Sequence, residues 1–300
     1  MQLILNYSKK TDKALSYVLE KLPSKISSKI NDFLKEKNIS TVNEIRIKSS
    51  SFISLLINHS IIKTDIFVTS DIINEIFLSL CSGSIYAHIS TIKDGYISVG
   101  KGVRAGICGK ASLEQEKIDG VYDITSINIR IPQRITFAGN YLFELLKAEN
   151  FKASVLIFSA PGEGKTTILR DFLEKLSKFT SIRHAVIDSR EEITPFIDEI
   201  ITSDVFIGYP KGLAIELATK SMTPQIIICD EITSIKEAEA INLSVSSGVN
   251  LIATTHAGSF EELKRRDVIS PLLKNMVFDY ALGIKRNSHN KFVYELNKLK

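Results

Sequence analysis

Cysteine is scarce in this chain: Cys81, Cys108 and Cys229 are three in 300 residues, an odd number and widely spaced. No disulfide framework and no cysteine-based metal site can be assembled from them, which fits a reducing cytoplasm. No apolar run approaches the ~20 residues of a bilayer-spanning helix. The apolar stretch Met1 to Tyr7 is too short for a signal peptide and lysines follow it, so any work at a membrane is expected to be peripheral. Repeats and low-complexity segments are lacking. Charge of one sign is not in marked excess either, since 38 Lys and Arg against 34 Asp and Glu leave +4. Part of that excess lies between Lys9 and Lys37, where Asp12, Glu20, Asp32 and Glu36 interrupt the lysines as on a solvated helical face. There is no basic stripe interleaved with aromatics, so nucleic acid is not an expected partner.

What is present is a globular composition, 44% hydrophobic and 24% charged, long enough for two cores. Residues 1–139 read as a smaller α+β domain. After Thr11, a candidate N-cap, Leu15, Val18, Leu19 and Leu22 recur at helical spacing, and Ile26, Ile30, Phe33 and Leu34 mark a second helix. Glu44 to Lys48 alternates as a half-buried strand does, and a helix is predicted over 71–82. Strands punctuated by glycine follow at 95–99 and 103–107, and Ile127 to Ile131 alternates again. Gly139-Asn140 is the expected hinge. Residues 140–300 then alternate strands with helices, the pattern of parallel β–α–β crossovers. A helix from Ile235 to Ser247 stops at Gly248, Ser259 and Glu262 form a capping box, and a terminal hairpin turns at 287–290.

The strand Val155 to Phe158 runs into Ser159-Ala160-Pro161-Gly162-Glu163-Gly164-Lys165-Thr166-Thr167 and then an amphipathic helix. Small residues let successive backbone N–H groups converge on one anion, and the helix N-terminus adds its positive end. Ala160 to Thr167 therefore form a candidate triphosphate site. Lys165 is placed to reach the β- and γ-phosphates of ATP and Thr166 to ligate Mg²⁺. Ser159 stands where the usual P-loop pattern has its first glycine.

Downstream, Gln225 to Glu231 is a continuous apolar run ending in two carboxylates, as in a strand buried on both faces. Asp230 is the candidate metal ligand and Glu231 the candidate to polarise water. Two more strands end in polar residues, Ala185 to Ile187 before Asp188 and Glu192, and Leu251 to Thr255 before His256. Ligands of open α/β sheets bind beyond the carboxyl ends of the strands, so these groups converge on one crevice. Asp188 and Glu192 read equally as an exposed turn, and His256 as a hydrogen-bonded histidine at a loop mouth.

Chained together, Ile187-Asp188 with Arg190 and Glu192, Ser221 to Pro224 before the acidic strand, and Thr254-Thr255-His256-Ala257-Gly258 resemble the stage III sporulation protein AA family. That family is a branch of the type II/type IV secretion ATPase superfamily. The N-terminal half shares the likeness through Asn43 to Ile47, Gly95 to Ile97, Gly102 to Gly106 and Ile129 to Ile131, so it covers most of the chain. The resemblance implies a RecA-like P-loop ATPase domain with a mainly parallel sheet behind an α+β domain. It implies a hexameric ring, peripheral on the cytoplasmic face of a membrane on the mother-cell side. There it would dock on an integral-membrane component and power a secretion-like channel into the forespore. Asp188 and Glu192 would help position metal and water, and His256 would act as a sensor. An arginine supplied in trans, Arg104, Arg46 or Arg130, would complete the site, unless these are structural salt bridges. Lys220 and Thr233 depart from the family pattern, as Ser159 does. A nucleotide-binding scaffold with little turnover is the alternative, and a nucleic-acid translocase a more distant one.

Overall fold

The computed structural model describes residues 13–58, 60–114, 116–133, 135–179, 181–195, 197, 202–245, 248–288 and 291–300. The Met1–Tyr7 stretch, Lys9, Lys10, the Thr11 cap, Asp12, Ser247, His289 and Asn290 lie outside the described residues. The chain divides into two compact units, Met1–Arg134 and Ile135–Lys300.

The first unit opens with helices α1 (Lys13–Glu20) and α2 (Ser24–Glu36), whose spaced apolar residues Leu15, Val18, Leu19, Ile26, Ile30, Phe33 and Leu34 are all buried. Strands β1 (Glu44–Lys48), β2 (Ser51–Ile57) and β3 (Ser60–Val68) follow, then α3 (Ser70–Leu80) and α4 (Ile89–Lys93), then β4 (Tyr96–Gly100), β5 (Val103–Glu114) and β6 (Lys117–Arg130). They form one sheet in the order β3-β2-β1-β6-β5-β4 with every neighbour antiparallel. One face is apolar: Ile45 and Ile47, Ile53 and Leu55, Ile97, Ala105, Ile127 and Ile129 are buried, as period-two alternation requires. The opposite face carries a polar row. Arg104 pairs across to Arg130, and Arg130 to Glu44.

The hairpin of β2 and β3 is not apparent in the sequence. Phe52 to Ile57 is nearly all apolar, so the strand lacks the alternation that identified β1. The helix predicted over 71–82 is real but begins one residue earlier, where Thr69 caps it by accepting from the Ile72 amide.

In the second unit α5 (Asn140–Ala148) leads to β7 (Val155–Ser159), α6 (Lys165–Leu176), β8 (His184–Asp188), β9 (Ser203–Ile207) and α7 (Lys211–Leu217). A π-helical turn (Ala218–Met222) precedes β10 (Ile226–Glu231), α8 (Ile235–Val245), β11 (Asn250–His256), α9 (Phe260–Arg265), α10 (Ser270–Lys274), β12 (Tyr280–Arg286) and β13 (Phe292–Lys298). The sheet order is β13-β12-β7-β11-β10-β8-β9, with β13 antiparallel to β12 and every other neighbouring pair parallel.

Both faces of this sheet are covered. Ile157, Val186, Ile226, Ile228 and Ile252 pack under α5 and α6 with Phe143, Leu169 and Phe172. Leu156, Phe158, Ala185, Ile187, Ile227 and Ala253 pack on the other side with Ile215, Ile241, Leu263 and Leu272. That double burial is why these strands read as unbroken apolar runs. Gly139, the expected hinge, sits inside this unit. Its amide donates to the buried Asp171 carboxylate at 2.7 Å, and a Cβ there would lie 2.5 Å from the Phe172 nitrogen.

Candidate nucleotide site

The loop after β7 takes its shape from two glycines in the left-handed region, Gly162 at φ +81° and Gly164 at φ +105°. No other residue adopts these angles without strain. Around Gly162 the space is open, as a cradle for an anion needs to be. Gly164 is held from outside. An added Cβ would lie 2.9 Å from the Phe292 ring and 3.2 Å from the Arg286 guanidinium. The Glu163 carboxylate fastens the loop to the same hairpin by accepting from the Arg286 amide at 2.9 Å.

Lys165 begins α6 and is buried. Its ammonium lies 2.7 Å from His256 Nδ1 and donates at 3.4 Å to both the carbonyl and the hydroxyl oxygen of Ser159. The other ring nitrogen of His256 lies 3.2 Å from Glu231 Oε2. A charged Lys165 can only donate, so Nδ1 accepts and Nε2 carries the proton toward Glu231. Lys165, His256 and Glu231 thus form one hydrogen-bonded chain from the cradle to the acidic strand. Burial pushes the Lys165 ammonium below its ordinary value, Glu231 and Asp230 pull it back up, and the nearby Arg266 adds to the depression.

Neighbouring residues on a regular strand face opposite sides, yet Asp230 and Glu231 both meet β11 on one side of it. The register of β10 against β11 slips between Cys229 and Glu231. This bulge brings Asp230 Oδ1 to 3.3 Å from the Thr254 hydroxyl, which donates to it, and Glu231 to His256 two residues on. Backbone carbonyls fix the ends: Lys211 donates to that of Glu231 and Arg266 to that of His256.

The remaining sequence candidates lie on other segments of the chain. Asp188 is 1% exposed and accepts from the amides of Glu192, Ile193 and Thr194 and from the Thr194 hydroxyl, all within 3.0 Å. It shapes the turn after β8, the segment from which the resemblance has Asp188 and Glu192 help position metal and water. Glu192 lies in this turn, and its carbonyl accepts from Arg170 of α6. Lys220 pairs with Glu216 at 2.5 Å in the turn that leads into the amino end of β10, whereas the cradle follows the carboxyl end of β7, so its departure from arginine leaves the cradle untouched. Arg104 lies on the outward face of the first unit's sheet, its guanidinium 5.3 Å from the Tyr96 ring centre. Arg46 and Arg130 both approach Glu44, at 3.2 and 3.8 Å.

Sequence reading missed Lys211, Arg266 and Arg286. Lys211 and Arg266 donate to backbone carbonyls, and Arg286 meets the Glu163 carboxylate through its amide and the Phe292 ring through its guanidinium, pairings that no side-chain motif announces.

A glycine cradle on α6, two acids on a strand one place removed, and an intervening strand bearing a histidine define a mixed α/β fold with a parallel sheet of P-loop type. Solved structures bear out that class. The ATPase DotB of Legionella pneumophila superposes with a TM-score of 0.62 over 93% of this chain and 82% of its own, at 15% identity. The pilus retraction motor PilT, in a structure with bound ADP, gives 0.64 over 90% and 83%, at 13% identity. The chain belongs to the family described as sporulation stage III, protein AA, whose model matches residues 19–295. Stage III sporulation protein AA of Bacillus subtilis (strain 168) is 26% identical over 283 residues, 91% of each chain.

Proposed function

We propose that the second unit binds Mg-ATP and hydrolyses it, and that the chain is the RecA-like motor of a secretion-like channel in endospore formation. The carrying observation is the chain Lys165–His256–Glu231, which already links the phosphate end of the crevice to the acid that would orient water. Membership in the sporulation family and the fold shared with the ATPase DotB and the pilus retraction motor PilT support the setting.

The residues fit a magnesium ion. Mg²⁺ is commonly held by one or two carboxylates together with substrate phosphates. Among the described residues no cluster of three His, Cys, Asp or Glu forms an all-protein cage, whereas Asp230 and the Thr166 hydroxyl suit the shared arrangement. An ion there supplies charge neutralisation at the phosphate oxygens. Gly162 to Thr167 offer their amides to the phosphates, with Ala160 and Pro161 shaping the entry to the loop, and Lys165 exchanges His256 for the γ-phosphate. His256 then keeps only Glu231, and its ring reports the exchange to β11. Glu231, helped by Glu192, aims the attacking water. A homo-hexamer, peripheral on the cytoplasmic mother-cell side and docked on an integral-membrane component, would place Arg104 of one subunit at the site of the next.

The scaffold alternative has one observation in its favour, that Lys165 and Glu231 are both already engaged by His256. Phosphate release from Mg-ATP beside a Lys165→Ala control separates the two readings, and calorimetry with Mg-ATP tests the site itself. Heat with wild type and none with Lys165→Ala is the expected result. No heat with either sinks both.

A further inference from the structure

The first unit carries a surface that nucleotide chemistry does not use. From Ile76 to Ile92 there is no Asp, Glu, Lys or Arg, in a chain that is 24% charged. Much of this run is on the outside. Tyr86 is 87% exposed, Leu78 46%, Ile85 41% and Ile89 39%, and the turn Ile85–His88 buries none of its residues. By length and composition, α3 and residues 85–93 together would suffice to cross a bilayer, but they are bent by 73°. The inner face of α3 is committed as well, with Ile73, Ile76, Phe77 and Leu80 buried. What is left outward is an apolar tip ending in a tyrosine.

A basic corner borders the tip. The Ser79 hydroxyl, next to Leu78, donates to the Lys21 carbonyl at 2.8 Å. The ammonium groups of Lys21 and Lys101 both lie over the Tyr17 ring, 5.5 and 4.9 Å from its centre, and the Tyr17 hydroxyl is anchored on the Val99 carbonyl.

We propose that this tip is a lipid-contact site, in which Leu78, Ile85, Tyr86 and Ile89 enter the interface of an anionic bilayer while Lys21 and Lys101 face its headgroups. Apolar side chains beside lysines, with a tyrosine at the polar boundary, are what an interfacial anchor requires. A second copy fits less well. A two-fold contact brings Lys21 and Lys101 of both copies around one patch, where like charges repel. Four side chains also fall short of the roughly 1,000 Å² that a specific protein interface buries. The proposal does not rest on ATP binding, and nucleotide-free protein serves for its test.

The chain contains no tryptophan, so Tyr86→Trp provides a single reporter. Full-length protein is floated with vesicles of phosphatidylcholine alone and with phosphatidylglycerol added. Wild type should float with the anionic vesicles at least tenfold better than with the neutral ones, and less so in high salt. Emission from Tyr86→Trp should shift to the blue on the same vesicles. Tyr86→Asp should abolish flotation with an unchanged melting temperature, since that side chain touches little else. Replacing Lys21 and Lys101 by Gln should remove the preference for anionic lipid, whereas Lys165→Ala should float as wild type does. An unshifted emission, or flotation that survives Tyr86→Asp, overturns the proposal. So does a self-associated mass that Tyr86→Asp reduces, which would make the tip a contact between copies.

Discussion

Lys165 is a charge held out of water by the fold before any phosphate arrives. Its pKa is depressed in the folded state, so between that value and the ordinary 10.5 the unfolded chain binds more protons. Stability from this group is therefore lowest below the depressed value and recovers as pH rises toward 10.5. Lys165→Met, which keeps the volume without the charge, should be more stable than wild type by about 1 kcal/mol at pH 7. The gain should shrink near the ordinary lysine pKa. Urea unfolding of nucleotide-free protein at both pH values measures it, and a less stable variant at pH 7 would show that the His256 and Ser159 contacts outweigh burial. The cysteines give a second test at this scale. Burial pushes the Cys229 thiol up to about 12 and raises Cys81 too, while Cys108 is exposed. In the native protein at pH 8 only Cys108 should react promptly with a thiol reagent, as mass spectrometry of labelled peptides would read out. Fast labelling of Cys229 would mean that β10 opens readily.

At the scale of the element, α6 is the part on which cradle and unit both depend. Its Asp171 is buried and accepts from the amides of Phe137 at 3.1 Å and Gly139 at 2.7 Å, and Lys175 pairs with it at 3.2 Å. Asp171→Ala leaves two amides unsatisfied and should cost about 2 kcal/mol in urea unfolding, with Asp171→Asn less harmful because one acceptor remains. At the other end, Gly164→Ala meets both a forbidden angle and the Phe292 ring. It should lose Mg-ATP binding in calorimetry by tenfold or more, and unchanged affinity would show that the hairpin yields. The sequence made α6, β7, β10 and β11 legible because a P-loop spacing and fully buried strands leave local marks. The bulge at Asp230 leaves none, being a mismatch with β11. Nor does the inward turn of Asp188, which has the composition of a metal ligand and the geometry of a loop cap. The β2–β3 hairpin was hidden for a different reason, since its apolar run has no period to read.

Across the whole molecule, the site's charges are unevenly supplied. The second unit brings Lys165, Arg266, Lys211 and Arg286 around the crevice. Of these, Lys211 and Arg266 are spent on backbone carbonyls, and Arg286 stacks on Phe292 at 4.3 Å. The first unit presents Arg104, Arg130 and Arg46 on one outward sheet face, with Glu44 between them. If the chain assembles as a ring, a guanidinium from such a face is the natural source of the extra cation that elsewhere speeds phosphoryl transfer by roughly 10³–10⁵. Mixing tests this without knowledge of the ring's size. Arg104→Ala subunits keep a sound acid at position 231, and Glu231→Gln subunits keep a sound arginine, so each alone should release little phosphate. In mixed rings some interfaces pair the sound acid of one subunit with the sound arginine of the next, and activity should exceed the sum of the separate preparations. Repeating the mixture with Arg130→Ala and Arg46→Ala identifies which of the three acts. Should every mixture stay at the sum while wild-type rings form normally, the cation comes from the same subunit, and Arg266, whose charge already reaches Lys165, becomes the side chain to examine.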